Sequence, residues 1–325
     1  MTQILLFFWI FSAACIVFCR KAYRVIIYFA VFSLITSVIY LSLGAPDVAM
    51  SEAGISAFAT IFFIVCIEKY YGRGEGLSSE EAPVPTVTRR PLSKIIPAMI
   101  FSLGLCGLFL YFVPTGYAFT ELRDQYLQMF MIDVGGENAV TAIYLGYRVY
   151  DTLFEALLLV IAVVAVTHVS WYGADVVPDG RHSEIENSRM TKFTMRIICP
   201  ILLLFGAYLI MNGHLTAGGG FLGGLAFASF FICRYLVLGI YDLPVKKIIK
   251  MEELVFINIT VLPILAIFTG VVYLFADVTP LTQDIYLIAM SSLVGMKVAC
   301  GFFILFYRHV AIERLPDDDE QEVDV

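Results

Sequence analysis

The chain has 325 residues, 60% of them hydrophobic and 15% charged, with a mean hydropathy of +0.85 and a formal net charge of −7. That balance excludes a soluble globular domain and a nucleic-acid-binding module, and it describes a polytopic, all-α membrane protein. The seven cysteines (Cys15, Cys19, Cys66, Cys106, Cys199, Cys233, Cys300) are scattered through apolar segments without a CxxC pair, so they read as small buried hydrophobes, not as disulfides or cluster ligands.

Nine stretches supply the ~20 mainly apolar residues that one bilayer crossing requires. They fall at 3–19, 25–43, 48–67, 95–113, 150–169, 194–211, 219–238, 253–275 and 284–306. The first is preceded by "MTQ", with no positive charge, and followed by Arg20, Lys21 and Arg24, so it is expected to be a retained helix and not a cleaved signal. Of the 21 Lys and Arg residues, 17 lie in the odd-numbered loops and the C-terminal segment. The positive-inside rule then predicts nine crossings of the cell membrane, with the N-terminus outside and the C-terminus cytoplasmic.

Two polar stretches, 72–94 and 171–192, are rich in Gly, Pro, Ser and charge and read as cytoplasmic linkers. They divide the chain into a three-helix module (1–71), a two-helix module with a long outer loop (95–170) and a four-helix module (193–310), followed by an acidic tail (311–325). No module repeats another at a fixed period, which argues against inverted repeats within this chain.

A charge at mid-bilayer costs several kcal/mol, so each polar group in a predicted span needs a reason. In "GAPDVAMSEAGISAFA", Pro46 and Asp47 are accounted for by helix-start chemistry. Glu52 lies one turn deeper, with Ser56 on its face and Ala53, Gly54 and Ala57 around it. It has two readings: a buried, protonatable carboxylate, or a shallow acid near a helix N-terminus.

In "ENAVTAIYLGYRVYDTLFEALLLV", Arg148, Asp151 and Glu155 share one helical face. Either the three form a cluster that can hold or pass a proton, or Arg148 and Asp151 are an interfacial pair with only Glu155 submerged. Lys297, in "SSLVGMKVACGFFILF", is far from both ends of its span and needs a carboxylate nearby to stay charged. Arg234, near the end of its own span, can snorkel to the interface.

The segment "NGHLTAGGGFLGG" (212–224) lacks the Lys-Ser/Thr of a phosphate loop and the preceding strand of a dinucleotide fingerprint. His214 belongs to no ligand cluster, so neither metal nor cofactor is expected. Gly219/Gly223 and Gly220/Gly224 make two overlapping GxxxG pairs, extended by Ala228, on which another helix can pack at backbone contact. His214 and Thr216 offer polar groups on the outer side, where passage of ions or water is a second reading.

Three stretches together show a resemblance to Mrp-type multisubunit cation/proton antiporters. "GAPDVAMSEAGISA" and "NAVTAIYLGYRVYDTLFEALLLVIAVVAV" resemble successive segments near the C-terminal end of the large A subunit, and "NGHLTAGGGFLGGLAF" with "GMKVACGFF" is similar to the B subunit. The resemblance covers all nine predicted helices, in the order expected of an A-subunit tail fused to a B subunit. The same modules recur in hydrogen-evolving membrane-bound hydrogenases.

The resemblance marks Glu52, Asp151, Glu155, His214, Gly218, Gly219, Gly220, Phe221, Gly223, Gly224 and Lys297 as family positions. It implies that acids here serve Na+ (cation) or proton passage beside larger antiporter-like subunits. It departs at Ala217, where the family has proline, and at Gly146 and Val149, which leaves the second motif one carboxylate short. The expected function is therefore a non-enzymatic antiporter subunit embedded in lipid among partner subunits. A hydrogenase-type ion-pumping arm and a non-conducting scaffold are the alternatives.

Overall fold

In an apolar medium every backbone N–H and C=O must be satisfied within the protein, and a helix does so within one segment. The computed structural model accordingly builds its apolar runs as helices and describes residues 2–19, 21–71, 92–112, 120–169, 189–238, 245–268 and 280–310. In chain order these hold α1 (Thr2–Phe18), α2 (Ala22–Ser42), α3 (Pro46–Tyr71), α4 (Leu92–Phe112), α5 (Thr120–Asp133) and α6 (Ala139–Ala142). A π-turn (Ile143–Tyr147) follows, and then α7 (Val149–Val169), α8 (Arg189–Asn212), α9 (Gly220–Leu238), α10 (Val245–Phe268) and α11 (Pro280–Val310). The described residues contain no strand.

Seven helices among the described residues are long and apolar enough to cross a membrane: α2, α3, α7, α8, α9, α10 and α11. The chain is a multi-pass, all-α membrane protein. The apolar parts of α1 (Gln3–Phe18) and α4 (Met99–Leu108) are shorter. Most of the linkers, together with the acidic tail, lie outside the described residues.

Two expectations are corrected. The predicted long outer loop contains α5, whose sequence TELRDQYLQMFMID mixes charge and apolar residues and so escapes a search for apolar runs. The eighth span is predicted from 253, but its helix α10 begins at Val245. The charged segment "KKIIKMEE" continues the helix below the apolar run, which places Glu252 inside an ordered, packed element.

Helix α11 is the centre of the molecule. It packs against α9 and α10, and further against α7, α8 and α3, while α1, α2 and α3 form a neighbouring layer that meets α9. Of its spanning window 67% is buried, against 6% for α3. One apolar core gathers Leu145, Ile259, Leu287 and Met290, and a second gathers Ile232, Tyr235, Phe303 and Phe306. The large side chains left outside, such as Phe7, Phe101, Phe154 and Leu204, are apolar, as a surface facing lipid or partner chains requires.

Candidate functional site

The glycine-rich segment closes one end of the molecule. Gly213 and Gly219 lie so close that a Cβ on Gly213 would stand 2.6 Å from the Gly219 Cα. Gly219 has a φ of 119°, a conformation that side chains disfavour, and its N–H donates to the Leu209 carbonyl at 3.0 Å. The resulting turn is tied to two distant parts of the chain. Asp47 Oδ1 accepts from the Gly218 N–H at 3.0 Å and from Asn138 Nδ2 at 3.3 Å. Asn138 Nδ2 also donates to the Gly213 and Thr216 carbonyls, and the His214 carbonyl accepts the N–H groups of Glu137 and Asn138.

Asp47 therefore does more than begin a helix. It holds the turn before α9 against the start of α6, a role that helix-start chemistry does not reveal. Asp47→Ala removes a charged acceptor from two donors, and a hydrogen bond to a charged group contributes about 1.5–3 kcal/mol. A lower thermal midpoint of the purified protein is the expected result, and an unchanged midpoint would make the junction energetically idle.

At this junction His214 is buried and among the described residues its Nδ1 has no hydrogen-bond partner, whereas Thr216 is exposed and donates to the Asn212 carbonyl at 3.3 Å. The two sequence candidates thus occupy the inside and the outside of one turn.

The overlapping GxxxG pairs face two different helices. A Cβ on Gly220 would collide with the Ser291 carbonyl, and one on Gly224 with the Gly295 carbonyl, both on α11. A Cβ on Gly223 would meet Ile210 and the Gly206 carbonyl on α8. Ala228 is fully buried. Gly219 does not belong to this helical surface, since it precedes α9. Its own missing Cβ makes room for the Tyr144 hydroxyl.

Of the acidic candidates, Glu52 accepts a hydrogen bond from the buried Ser33 Oγ of α2 and so belongs to the α2–α3 pair. Arg148 and Asp151 form an ion pair with 60% and 54% of their side chains exposed. Glu155, on the same predicted face, takes no part in it. The π-turn ends at Arg148, whose φ and ψ of −119° and 38° interrupt the helix, so the regular face begins only at Val149.

Glu155 and Lys297 do come together. Both line a cavity of about 320 Å³ between α7, α9, α10 and α11, whose wall also includes Thr152, Phe221, Ile259 and Phe302. Glu155 is exposed on its open side, and among the described residues none forms an ion pair with it. Lys297 is 1% exposed, and its Nζ is ion-paired with Glu252, itself 3% exposed, beneath the Phe256 ring at 5.1 Å.

Desolvating both charges costs several kcal/mol per ion, so the pair is retained at an energetic disadvantage that mutual attraction must offset. Glu252 is absent from the candidates read from the sequence. The available signal was Lys297 itself, a mid-span cation in need of a carboxylate.

Residues 190–313 match the family described as "Domain related to MnhB subunit of Na+/H+ antiporter", and residues 7–71 match the MbhD family, the D subunit of MBH. An uncharacterized protein of Methanocaldococcus jannaschii is 27% identical over 62% of this chain and 87% of its own length. A probable K(+)/H(+) antiporter A/B subunit of Rhizobium meliloti is 23% identical over 62% of this chain, and the match spans 22% of that protein.

The fold is shared with a chain of the Mrp complex from Dietzia sp. DQ12-45-1b, at a TM-score of 0.74 and 18% identity, covering 97% of this chain and 35% of that one. A chain of the membrane-bound sulfane sulfur reductase, an archaeal respiratory membrane complex, aligns at a TM-score of 0.56 and 25% identity over 69% of this chain and 100% of its own. The chain thus spans well under half the length of the antiporter proteins it matches. The chain therefore carries an MbhD domain followed by a domain related to the MnhB subunit of Na+/H+ antiporters.

Proposed function

We propose that this chain is a non-enzymatic membrane subunit of an Mrp-like antiporter that exchanges Na+ or another cation for protons, working beside larger antiporter-like subunits in the cell membrane. The observation that carries this reading is the cavity lined by both Glu155 and Lys297, the latter ion-paired with the buried Glu252. A carboxylate open to an otherwise apolar cleft can take up and release a proton. A buried cation nearby changes the energy of doing so, and a cavity of this size has room for waters that bridge its few polar groups.

Nine crossings, with the N-terminus outside and the C-terminus cytoplasmic, belong to the same proposal, α1 and α4 supplying the two beyond the seven long helices. The packing supports that orientation. The starts of α3 and α6 and the α8–α9 turn meet at one end of the molecule, and the charge distribution assigns all three to the outer side. The three-module organisation, with boundaries near 71, 95, 170 and 193, is part of it as well.

A second reading, membership of a redox-driven respiratory complex, is favoured by the MbhD match and by the structural likeness to the sulfane sulfur reductase. In that reading electron transfer takes place in other chains and this one serves the ion-translocating arm.

The test is Glu155→Gln in the native complex reconstituted into vesicles. Proton movement driven by a Na+ gradient is expected to be lost while the complex purifies with all its chains. Unchanged exchange would assign Glu155 a structural role and favour a non-conducting scaffold.

A further inference from the structure

The outer junction and the Glu155 cavity are separate regions, and one side chain beside the junction has so far been given no role in either. Tyr144 projects from the π-turn, a distortion that is frequent at functional sites because the extra residue redirects the side chains beside it. Its hydroxyl lies against Gly219, where any Cβ would collide with it, so the glycine and its left-handed φ are what admit the phenol. The hydroxyls of Thr141, fully buried, and Ser291, 1% exposed, flank the phenol. The Thr141 hydroxyl donates to the Gly213 carbonyl at 2.6 Å, and among the described residues Ser291 Oγ has no hydrogen-bond partner.

On the outer side, Asp47 holds the N–H of Gly218, the neighbour of the glycine that faces the phenol; on the other, Gly220 packs against Val294, which with Phe221 lines the cavity. The connection to the cavity is also made through the backbone. Thr152, in the cavity wall, donates its hydroxyl to the Tyr144 carbonyl at 2.7 Å.

We propose that the Tyr144 hydroxyl is the proton-carrying link between the outer junction around Asp47 and the cavity that holds Glu155 and Lys297. This rests on the antiporter reading above and adds to it a residue and a direction of approach. A phenol is both donor and acceptor. It can accept a proton on its oxygen from the outer side while releasing its own toward Glu155, one O–H bond forming as another breaks, with no net change in the residue. Around it the backbone contacts of Gly220 and Gly224 with α11 close the path to anything as large as a hydrated cation. The link therefore passes protons and keeps Na+ out of the same gap.

The experiment uses the native complex in vesicles, a Na+ gradient as the driving force, and Glu155→Gln as the reference variant. Phenylalanine fills the same space as tyrosine without the hydroxyl. Tyr144→Phe is expected to slow proton movement about tenfold or more, the scale of a lost proton-transfer group, while the half-saturating Na+ concentration and the chain composition stay unchanged. Tyr144→His, which can again donate and accept, is expected to recover part of the rate, a rescue that a purely structural role would not show.

Full rate in Tyr144→Phe with none in Glu155→Gln would overturn the link and leave the antiporter reading standing. Full rate in both variants would overturn the reading itself. Equal slowing by Phe and His would also overturn the link, by making Tyr144 a packing residue.

Discussion

Lys297→Met is expected to destabilise the protein by about 3–5 kcal/mol, the usual consequence of removing one partner from a buried ion pair. The reason is what remains. Glu252, 3% exposed, would be left in an apolar core without its cation, and must either stay charged at high cost or take up a proton. The stem of Met replaces the stem of Lys under Phe256, so the loss of midpoint on heating measures the charge and not the packing.

The double variant Lys297→Met/Glu252→Leu separates folding from function. Well-packed apolar replacements of a buried pair are often neutral or stabilising by about 1–4 kcal/mol relative to the pair. Its thermal midpoint should therefore return to that of the unmodified protein or exceed it. Exchange is nonetheless expected to be lost, because the cavity that Glu155 lines would no longer hold a fixed positive charge. A stable double variant with normal exchange would show that the pair serves architecture alone.

The second large effect is expected at Gly224. Leucine there must place its Cβ into the Gly295 carbonyl and within 2.8 Å of the Val298 Cβ, and the obstacle is backbone, which cannot rotate away. Helices α9 and α11 would have to separate, and with α11 at the centre of the fold such a change propagates to α7, α8 and α10. Gly224→Leu is expected to abolish recovery of the assembled protein, and Gly220→Leu to do the same through the Ser291 carbonyl. Recovery at the normal level with either change, as judged by size-exclusion chromatography after extraction, would contradict backbone contact along this seam.

The spans, the close-packing glycines and the isolated charges are legible in the sequence because each depends on a local property. Apolar length specifies a crossing, small residues four apart specify a surface for close approach, and a charge among apolar residues is conspicuous wherever it falls. Lys297 is such a charge. Its partner is not, because Glu252 lies in "KKIIKMEELVF", where charge is ordinary, and only the length of α10 shows that it is inside. The same holds for α5, whose polar composition hides it from a search for apolar runs.

By itself the sequence determined that this is a helical membrane chain, that Glu155 and Lys297 need explanation, and that α9 carries a face of glycines. The tertiary structure alone decided that Gly220 and Gly224 serve α11 while Gly223 serves α8, and that Arg148 pairs with Asp151 and leaves Glu155 out of the pair. It also brought Glu155 and Lys297 together at one cavity, paired Lys297 with Glu252, and set the Tyr144 hydroxyl against Gly219, next to the glycine that Asp47 holds. The physical reason is sequence separation. Residue spacing defines which side of a helix a group occupies, whereas the neighbour on that side comes from a distant segment, 171 positions away in the case of Asp47 and Gly218, and is chosen by packing.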